Sequence, residues 1–277
     1  MSLVLLLALF GVGLAVGFTS GLVGIGGGVL IVPFLYFFYS HPAFSGTNLP
    51  ASLHTAVAHA TSLFIIVPTA ALGTRNYARR GLVEWRAVLP IALISLLAAI
   101  IGVRLALILP SEVVRVVFGL FLIATAIQLY IQPQGVEHRP LRLNPWIVVL
   151  TGLAVGVLSG LMGIGGGAVA APLLLRLVHL DVKKVAATSL AIVGIAAISG
   201  MISYIVSGWH TPNMPTGSFG YVHVLAGLPI LLGSMLAVRF GTWVNVRMHP
   251  RKLQVMFAAF FMVLGLYFIV RNLPAVL

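Results

Sequence analysis

Long apolar runs separated by short polar segments dominate the chain. In the first half the runs cover residues 3–39, 53–72, 87–109 and 113–131, and in the second half they cover residues 146–178, 185–206, 221–244 and 253–270. A helix of about 20 apolar residues crosses the hydrocarbon core of a bilayer. The pattern therefore predicts an all-α polytopic membrane protein whose second half repeats the order of the first.

One stretch of sequence occurs twice. Residues 13–33 read GLAVGFTSGLVGIGGGVLIVP and residues 152–172 read GLAVGVLSGLMGIGGGAVAAP, with 14 of 21 positions identical. This identity indicates an internal duplication. We expect a single membrane domain over residues 1–277, made of repeat 1 (3–131), a polar linker (132–145) and repeat 2 (146–272).

Each copy carries a GIGGG segment inside an otherwise continuous apolar run. Each glycine in a helix interior costs about 1 kcal/mol relative to alanine, so four of them in five positions predict a break in the helix. Irregular backbone is tolerated in a bilayer only where protein or a wet cavity covers it. The two breaks are therefore predicted to line a binding site formed by Gly24, Gly26, Gly27 and Gly28 with Gly163, Gly165, Gly166 and Gly167.

The loops divide into a basic set and an uncharged set. Lysine and arginine collect in residues 75–86, 139–142, 176–184 and 247–252, whereas residues 41–52 and 207–220 have no charged side chain. The positive-inside rule places the basic set in the cytoplasm. That assignment is consistent only if each broken run enters and leaves the membrane on the same side, either as two short crossings or as a re-entrant hairpin. The halves would then be inverted repeats, each with a broken helix followed by three transmembrane helices, as in many secondary transporters.

Composition supports the membrane assignment and excludes several other classes. Only 7% of the residues are charged and the mean hydropathy is +1.14, whereas soluble domains carry about 25% charged residues. The net charge of +12 is explained by cytoplasmic loops, so we expect no nucleic-acid partner. The N-terminus lacks the basic region of a signal peptide, and we expect it to be retained. The absence of cysteine excludes disulfides and thiolate metal sites.

The breaks favour an anion. A helix that begins after a glycine break presents free N–H groups and the positive end of its dipole. The alternative is that the glycines only allow close packing, which we favour for the GxxxG glycines Gly13, Gly17, Gly21, Gly152, Gly156 and Gly160. Gly163, Gly165 and Ala168 also fit a dinucleotide fingerprint, but no strand precedes them, so we reject a nucleotide site.

Polar side chains follow the breaks in both halves. The candidates for substrate binding are Ser20, His59, Thr61, Ser62, Ser159, Thr188 and Ser189. Hydroxyl groups donate to oxyanions, but they also bond helix carbonyls, and we weight the two roles equally. His59 could carry a coupling proton, although a neutral, hydrogen-bonded histidine is the preferred interpretation. Arg104 and Arg239 hold equivalent positions and are candidate gates, with snorkelling at the membrane surface as the alternative.

The acidic residues exclude further functions. Glu84, Glu112, Glu137 and Asp181 all fall in or beside loops, so no membrane run supplies a carboxylate for a proton relay or a sodium site. Because cation transport lacks its usual carboxylate ligands, an anion becomes the favoured substrate. No protease-like constellation or HExxH motif occurs, so we expect neither an enzyme nor a metal or cofactor site.

The twice-occurring GxxSGLxGIGGGxxxxP, each copy followed by an alanine-Thr-Ser run, resembles the sulfite exporter family TauE/SafE. The resemblance covers the whole chain. It implies a multi-pass permease of a bacterial or archaeal inner membrane that moves sulfite, sulfoacetate or a related small anion, usually outward. The other partners that we expect are the lipid bilayer and a second copy of the chain in a homodimer. Two alternatives stay open: an anion channel, and a membrane scaffold or assembly protein without a solute pathway. Ala186 replaces His59 in the second half, so any role of the histidine is one-sided.

Overall fold

The computed structural model describes residues 3–41, 49–131, 141–247 and 250–275. Nearly all of these residues are helical. In chain order the elements are α1 (Leu3–Val23), α2 (Gly28–Ser40), a 3-10 turn (Ala51–Leu53), α3 (His54–Ala78), α4 (Trp85–Ile108), α5 (Ser111–Ile131), α6 (Pro145–Met162), α7 (Gly167–Arg176), α8 (Val182–Ser207), β1 (Ser218–Phe219), β2 (Val222–His223), α9 (Val224–Asn245), α10 (Pro250–Asn272) and a second 3-10 turn (Leu273–Ala275).

Seven helices in the described part of the chain are long and apolar enough to cross a membrane. They are α1, α3, α4, α5, α6, α8 and α9. The helices α2 and α7 are apolar but shorter, with 13 and 10 residues. These lengths confirm the predicted all-α polytopic membrane protein.

Both GIGGG segments interrupt their helices as predicted. The first break separates Val23 from Gly28 and the second separates Met162 from Gly167. Gly27 and Gly166, which cap the two short helices, have φ angles of 78° and 76°. A side chain at either position would be strained in this left-handed conformation, so the break depends on glycine there.

The GxxxG glycines bring helices of the two halves into close contact. A Cβ atom on Gly13 would lie 2.2 Å from the Ile230 carbonyl oxygen, and one on Gly17 would lie 2.1 Å from that of Ser234. The sequence numbers increase together, so α1 and α9 are parallel. Gly156 packs in the same way on Ser95, which makes α6 parallel to α4. The predicted packing role of these glycines is confirmed.

The equivalent helices α3 and α8 run antiparallel. Gly73 of α3 faces Leu190 of α8, and Gly200 of α8 faces Leu63 of α3. Gly73 and Gly200 hold equivalent positions in the two halves, and so do Leu63 and Leu190. Each contact is therefore the same contact with the two helices exchanged. Such reciprocal contacts are the pattern that two inverted halves produce when a two-fold axis lies in the membrane plane.

The basic loops lie together at one end of the helix bundle, which we call the basic end (residues 79–84, 141–144, 177–181 and 246–247). The Tyr77 hydroxyl donates to the Gly21 carbonyl at 2.5 Å, which joins the C-terminal ends of α3 and α1. Lys184 pairs with Glu84 at 2.8 Å, which joins the start of α8 to the loop before α4. The opposite end holds residues 49–53, 108–111 and 207–223.

Candidate functional site

The two glycine breaks touch each other. A Cβ atom on Gly28 would lie 2.4 Å from the Ile164 Cα atom, and one on Gly167 would lie 2.6 Å from the Ile25 Cα atom. Each break therefore packs its first helical glycine against the isoleucine of the other break. The contact joins the two halves of the chain at the point where the two short helices begin.

The contact lies near the midpoint of the long helices α3 and α8. A Cβ atom on Gly26 and one on Gly165 would each lie 2.7 Å from the Val193 Cγ1 atom, with Ile66 next to both. Ile66 and Val193 are both close to the middle of their helices, and both are fully buried. The N-termini of α2 and α7 thus lie deep inside the bundle.

Backbone N–H groups at both breaks have no hydrogen-bond acceptor among the described residues. Between described residues, no carbonyl or side chain accepts the N–H groups of residues 25–29 or 164–168, whereas those of Leu30, Ile31, Val169 and Ala170 bond back to the capping glycines. Residues 24–29 and 163–168 are all buried. A buried N–H without an acceptor costs about 1–3 kcal/mol, so these groups favour a ligand that only accepts hydrogen bonds.

Three of the predicted serines add free hydroxyl groups. The Oγ atoms of Ser20, Ser62 and Ser159 are buried and have no hydrogen-bond partner in the part of the chain that the structure describes. Ser20 lies beside the first break, since a Cβ atom added to Gly27 would be 3.4 Å from the Cβ atom of Ser20. Ser159 lies at the equivalent position before the second break, and its carbonyl accepts the Gly163 N–H at 3.0 Å. Buried polar atoms without partners are rare in folded proteins, so these hydroxyls remain candidates for ligand binding.

The other predicted hydroxyls have structural partners. Thr61 accepts the backbone N–H of His223 at 3.0 Å, and Thr188 accepts that of Glu84 at 3.1 Å. Ser189 donates to the carbonyl oxygen of Gly24 at 2.9 Å, next to the first break. For these three side chains the structure supports the packing role that the sequence left open, and their contact with substrate stays a prediction.

His59 is fully buried between two tyrosines. Its Nε2 atom is hydrogen-bonded to the Tyr36 hydroxyl of α2, and its Nδ1 atom lies 3.3 Å from the Tyr204 hydroxyl of α8. Tyr204 in turn donates to the Gly160 carbonyl at 3.0 Å. A hydroxyl has one hydrogen, so Tyr204 accepts from Nδ1–H, and in a neutral ring the Tyr36 hydroxyl donates to Nε2. The geometry assigns a proton to Nδ1 and fits the neutral, hydrogen-bonded histidine of the preferred interpretation.

The histidine also abuts the second break. A Cβ atom on Gly163 would lie 2.5 Å from the His59 Cα atom, and one on Gly24 would lie 2.5 Å from the Ala186 Cα atom. The two contacts are equivalent. The imidazole of His59 therefore lies at the second break, in the place that the methyl group of Ala186 occupies at the first break.

Sequence patterns missed two tyrosines of α2 that bond buried histidines: Tyr36, which bonds His59, and Tyr39, which bonds His223. Tyr36 and Tyr39 lie in the short helix α2, which was read as an apolar run. Tyr39 bonds His223 Nδ1 at 3.1 Å, and Arg115 lies over the Tyr36 ring, with its Cζ atom 5.1 Å from the centroid. The sequence signal that could have found these residues is a tyrosine hydroxyl inside an otherwise apolar helix, because a buried hydroxyl usually has a hydrogen-bond partner.

The candidate gates do not reach the breaks. Arg104 and Arg239 are both exposed, and they lie near the C-terminal ends of α4 and α9. Arg239 lines a cleft at the basic end, whereas Arg104 is at the opposite end. Gly17 packs on Ser234 as its equivalent Gly156 packs on Ser95, so the counterpart of Arg104 in the second half is Trp243, and the predicted equivalence of Arg104 and Arg239 is wrong. A gating role for either side chain stays a prediction.

Comparison with known proteins identifies the class of protein. A family model described as sulfite exporter TauE/SafE matches residues 9–268. A probable membrane transporter protein of Methanocaldococcus jannaschii is 31% identical over 96% of both chains, and one of Haemophilus influenzae is 31% identical over 92% of this chain and 94% of its own. The probable membrane transporter protein YunE of Bacillus subtilis is 25% identical over 96% of both chains. No solved structure matches this chain significantly. The chain therefore belongs to the sulfite exporter TauE/SafE family and is a multi-pass membrane transporter.

Proposed function

We propose that the protein is a secondary transporter that exports a small anion, such as sulfite, sulfoacetate or a related carboxylate, across the inner membrane of a bacterium or archaeon. The observation that carries the proposal is the pair of buried helix N-termini in contact at the middle of the bundle. Their unpartnered N–H groups supply hydrogen-bond donors and partial positive charge without a buried lysine.

Three unpartnered hydroxyls would complete the site. Ser20 and Ser159 flank the two breaks symmetrically, and Ser62 lies one turn beyond His59. All of the groups gathered here can donate hydrogen bonds and none is negatively charged. An oxyanion, which only accepts hydrogen bonds, matches this set better than a cation does.

The contact between the breaks argues against a permanently open channel. Gly28 lies against Ile164 and Gly167 lies against Ile25, so the backbone of one half closes on the backbone of the other. An anion can enter only after the breaks separate. Motion of one half against the other would expose the site to one side at a time, as alternating access requires.

Counterflow in proteoliposomes tests the proposal. Vesicles preloaded with unlabelled sulfite or sulfoacetate should accumulate the labelled anion with saturable kinetics. An ohmic, unsaturable current would support an anion channel instead, and the absence of any protein-dependent flux for a panel of sulfonates, sulfite and carboxylates would support a scaffold.

Serine substitutions test the location of the site. Ser20→Ala and Ser159→Ala remove hydroxyls that hold no partner, so we expect unchanged thermal stability and about tenfold weaker half-saturation for the anion, the loss of one hydrogen bond to a charged group. Ser189→Ala is the matched control, because its hydroxyl donates to the Gly24 carbonyl. We expect it to lower stability by about 1 kcal/mol. Unchanged half-saturation in both test variants would place the substrate elsewhere.

A further inference from the structure

A cleft of about 320 Å³ opens at the basic end, between the C-terminal ends of α3 and α9. We call it the arginine cleft. Its walls are formed by Asn76, Arg79, Arg80, Arg239, Thr242 and Trp243. Asn76 lies ten residues beyond Ile66 along α3, so the cleft is about 15 Å from the glycine breaks along the helix axis. It is a different place from the proposed transport site.

Among the described residues, no acidic side chain balances the positive charge of the cleft. In the described part of the chain, no carboxylate lies within ion-pair distance of Arg79, Arg80 or Arg239. Glu84, which follows them in the loop before α4, instead pairs with Lys184 at 2.8 Å. Three guanidinium groups that share a cleft repel one another unless an anion lies between them, and their fork geometry suits phosphate and sulfate oxygens.

The cleft also holds a donor that lacks an acceptor. The Nδ2 atom of Asn76 is buried and has no hydrogen-bond partner within residues 3–41, 49–131, 141–247 and 250–275. The hydroxyl of Thr242 already donates to the Arg239 carbonyl at 2.9 Å. A buried amide donor beside uncompensated arginines is a second, independent indication of a ligand that accepts hydrogen bonds.

The lipid-facing surface of α9 leads into this cleft. One face of the helix exposes a continuous row of apolar side chains, formed by Leu225, Leu228, Leu232, Leu236, Phe240 and Trp243. Trp243 ends the row at the cleft and carries the Arg247 guanidinium on its ring, 3.8 Å from the centroid. Tryptophan and arginine at this depth are typical of the membrane–water interface, and basic pockets on the cytoplasmic side bind lipid headgroups.

We propose that the arginine cleft binds a tetrahedral oxyanion, either the phosphate of an anionic phospholipid or free phosphate or sulfate. The guanidinium groups of Arg79, Arg80 and Arg239 hold the oxygens, and the Asn76 amide donates to one of them. When the phosphate belongs to a lipid, its acyl chains lie along the apolar row of α9. The proposal does not depend on what the protein transports.

Binding to the purified full-length protein in neutral detergent tests the site. The probes are phosphatidylglycerol, phosphatidylcholine as the zwitterionic lipid, sodium phosphate and sodium sulfate, with the thermal midpoint and native mass spectrometry as readouts. We expect saturable stabilisation by phosphatidylglycerol or by a free oxyanion. Arg80→Gln and Arg239→Gln should each weaken that binding about tenfold or more, the loss of a charge-assisted contact.

Arg104→Gln is the matched control, because Arg104 is also an exposed arginine near the C-terminal end of a transmembrane helix but lies at the opposite end of the bundle. Arginine-dependent binding of phosphatidylglycerol alone assigns the site to a lipid headgroup. Arginine-dependent binding of phosphate or sulfate assigns it to a free ion. The proposal is overturned if none of the anionic probes binds, if phosphatidylcholine binds equally well, or if Arg104→Gln weakens binding as much as Arg239→Gln. These assays involve no transport, so they succeed or fail separately from the counterflow experiment.

Discussion

The protonation site of His59 follows from the single hydrogen of one tyrosine. Because Tyr204 donates to the Gly160 carbonyl, it accepts from His59 Nδ1, and Nε2 is left to accept from Tyr36. We expect the ¹⁵N shifts of labelled His59 in the membrane-reconstituted protein to show a protonated Nδ1 and a bare Nε2. The Tyr204→Phe variant removes the acceptor and should shift the population toward the other tautomer. A protonated Nε2 in the unmodified protein would contradict the hydrogen-bond network.

A second histidine makes stability depend on pH. His223 lies just outside α9, and its burial lowers the pKa of the imidazole from 6.5 to about 4. Between pH 6.5 and pH 4 the unfolded chain takes up a proton that the folded protein excludes, so the free energy of unfolding falls as the pH falls through this range. The thermal midpoint should be lower at pH 5 than at pH 7.5. In His223→Gln this difference should shrink, and an equal pH dependence in both proteins would exclude His223 as a source of it.

At the scale of the helices, close contact depends on glycines that have no room for a side chain. Gly17 of α1 lies against the Ser234 backbone of α9, whereas Gly11 of the same helix has no atom within 4 Å of an added Cβ. Gly17→Leu should therefore cost roughly 1–3 kcal/mol through overpacking. Gly11→Leu, the matched control, should leave the thermal midpoint in detergent unchanged. Equal midpoints for the two variants would contradict the helix pairing described above.

Sequence patterns predicted the elements well because their causes are local. Apolar runs give the transmembrane helices, and four glycines in five positions give each break. The partners of polar groups depend on distant residues instead. Tyr204 lies 145 positions beyond His59, and Ser189 reaches Gly24 across 165 positions. Ser20 and Ser189 therefore look equivalent as candidates in the sequence, although only Ser20 has a free hydroxyl in the structure.

At the scale of the whole molecule, the segregation of basic loops predicts the orientation. The positive-inside rule places the basic end in the cytoplasm. Because the chain contains no cysteine, a thiol reagent labels only a cysteine that is introduced, and that labelling reports on which side of the membrane the position lies. A membrane-impermeant maleimide should label Thr216→Cys, which is exposed at the opposite end, in intact cells. It should label the exposed position of Arg86→Cys only after the cells are opened. The reverse result would invert the orientation and the proposed direction of export.

The most extensive helix contacts all join one half to the other: α1 packs on α9, α6 on α4, and α5 on α10. Neither half covers its own glycine-lined grooves. The chain therefore behaves like a dimer whose two subunits have been fused into one polypeptide. A half produced alone would have to recruit a second copy of itself to fill those grooves, which is how an ancestral unit of half the length would have assembled before its gene was doubled.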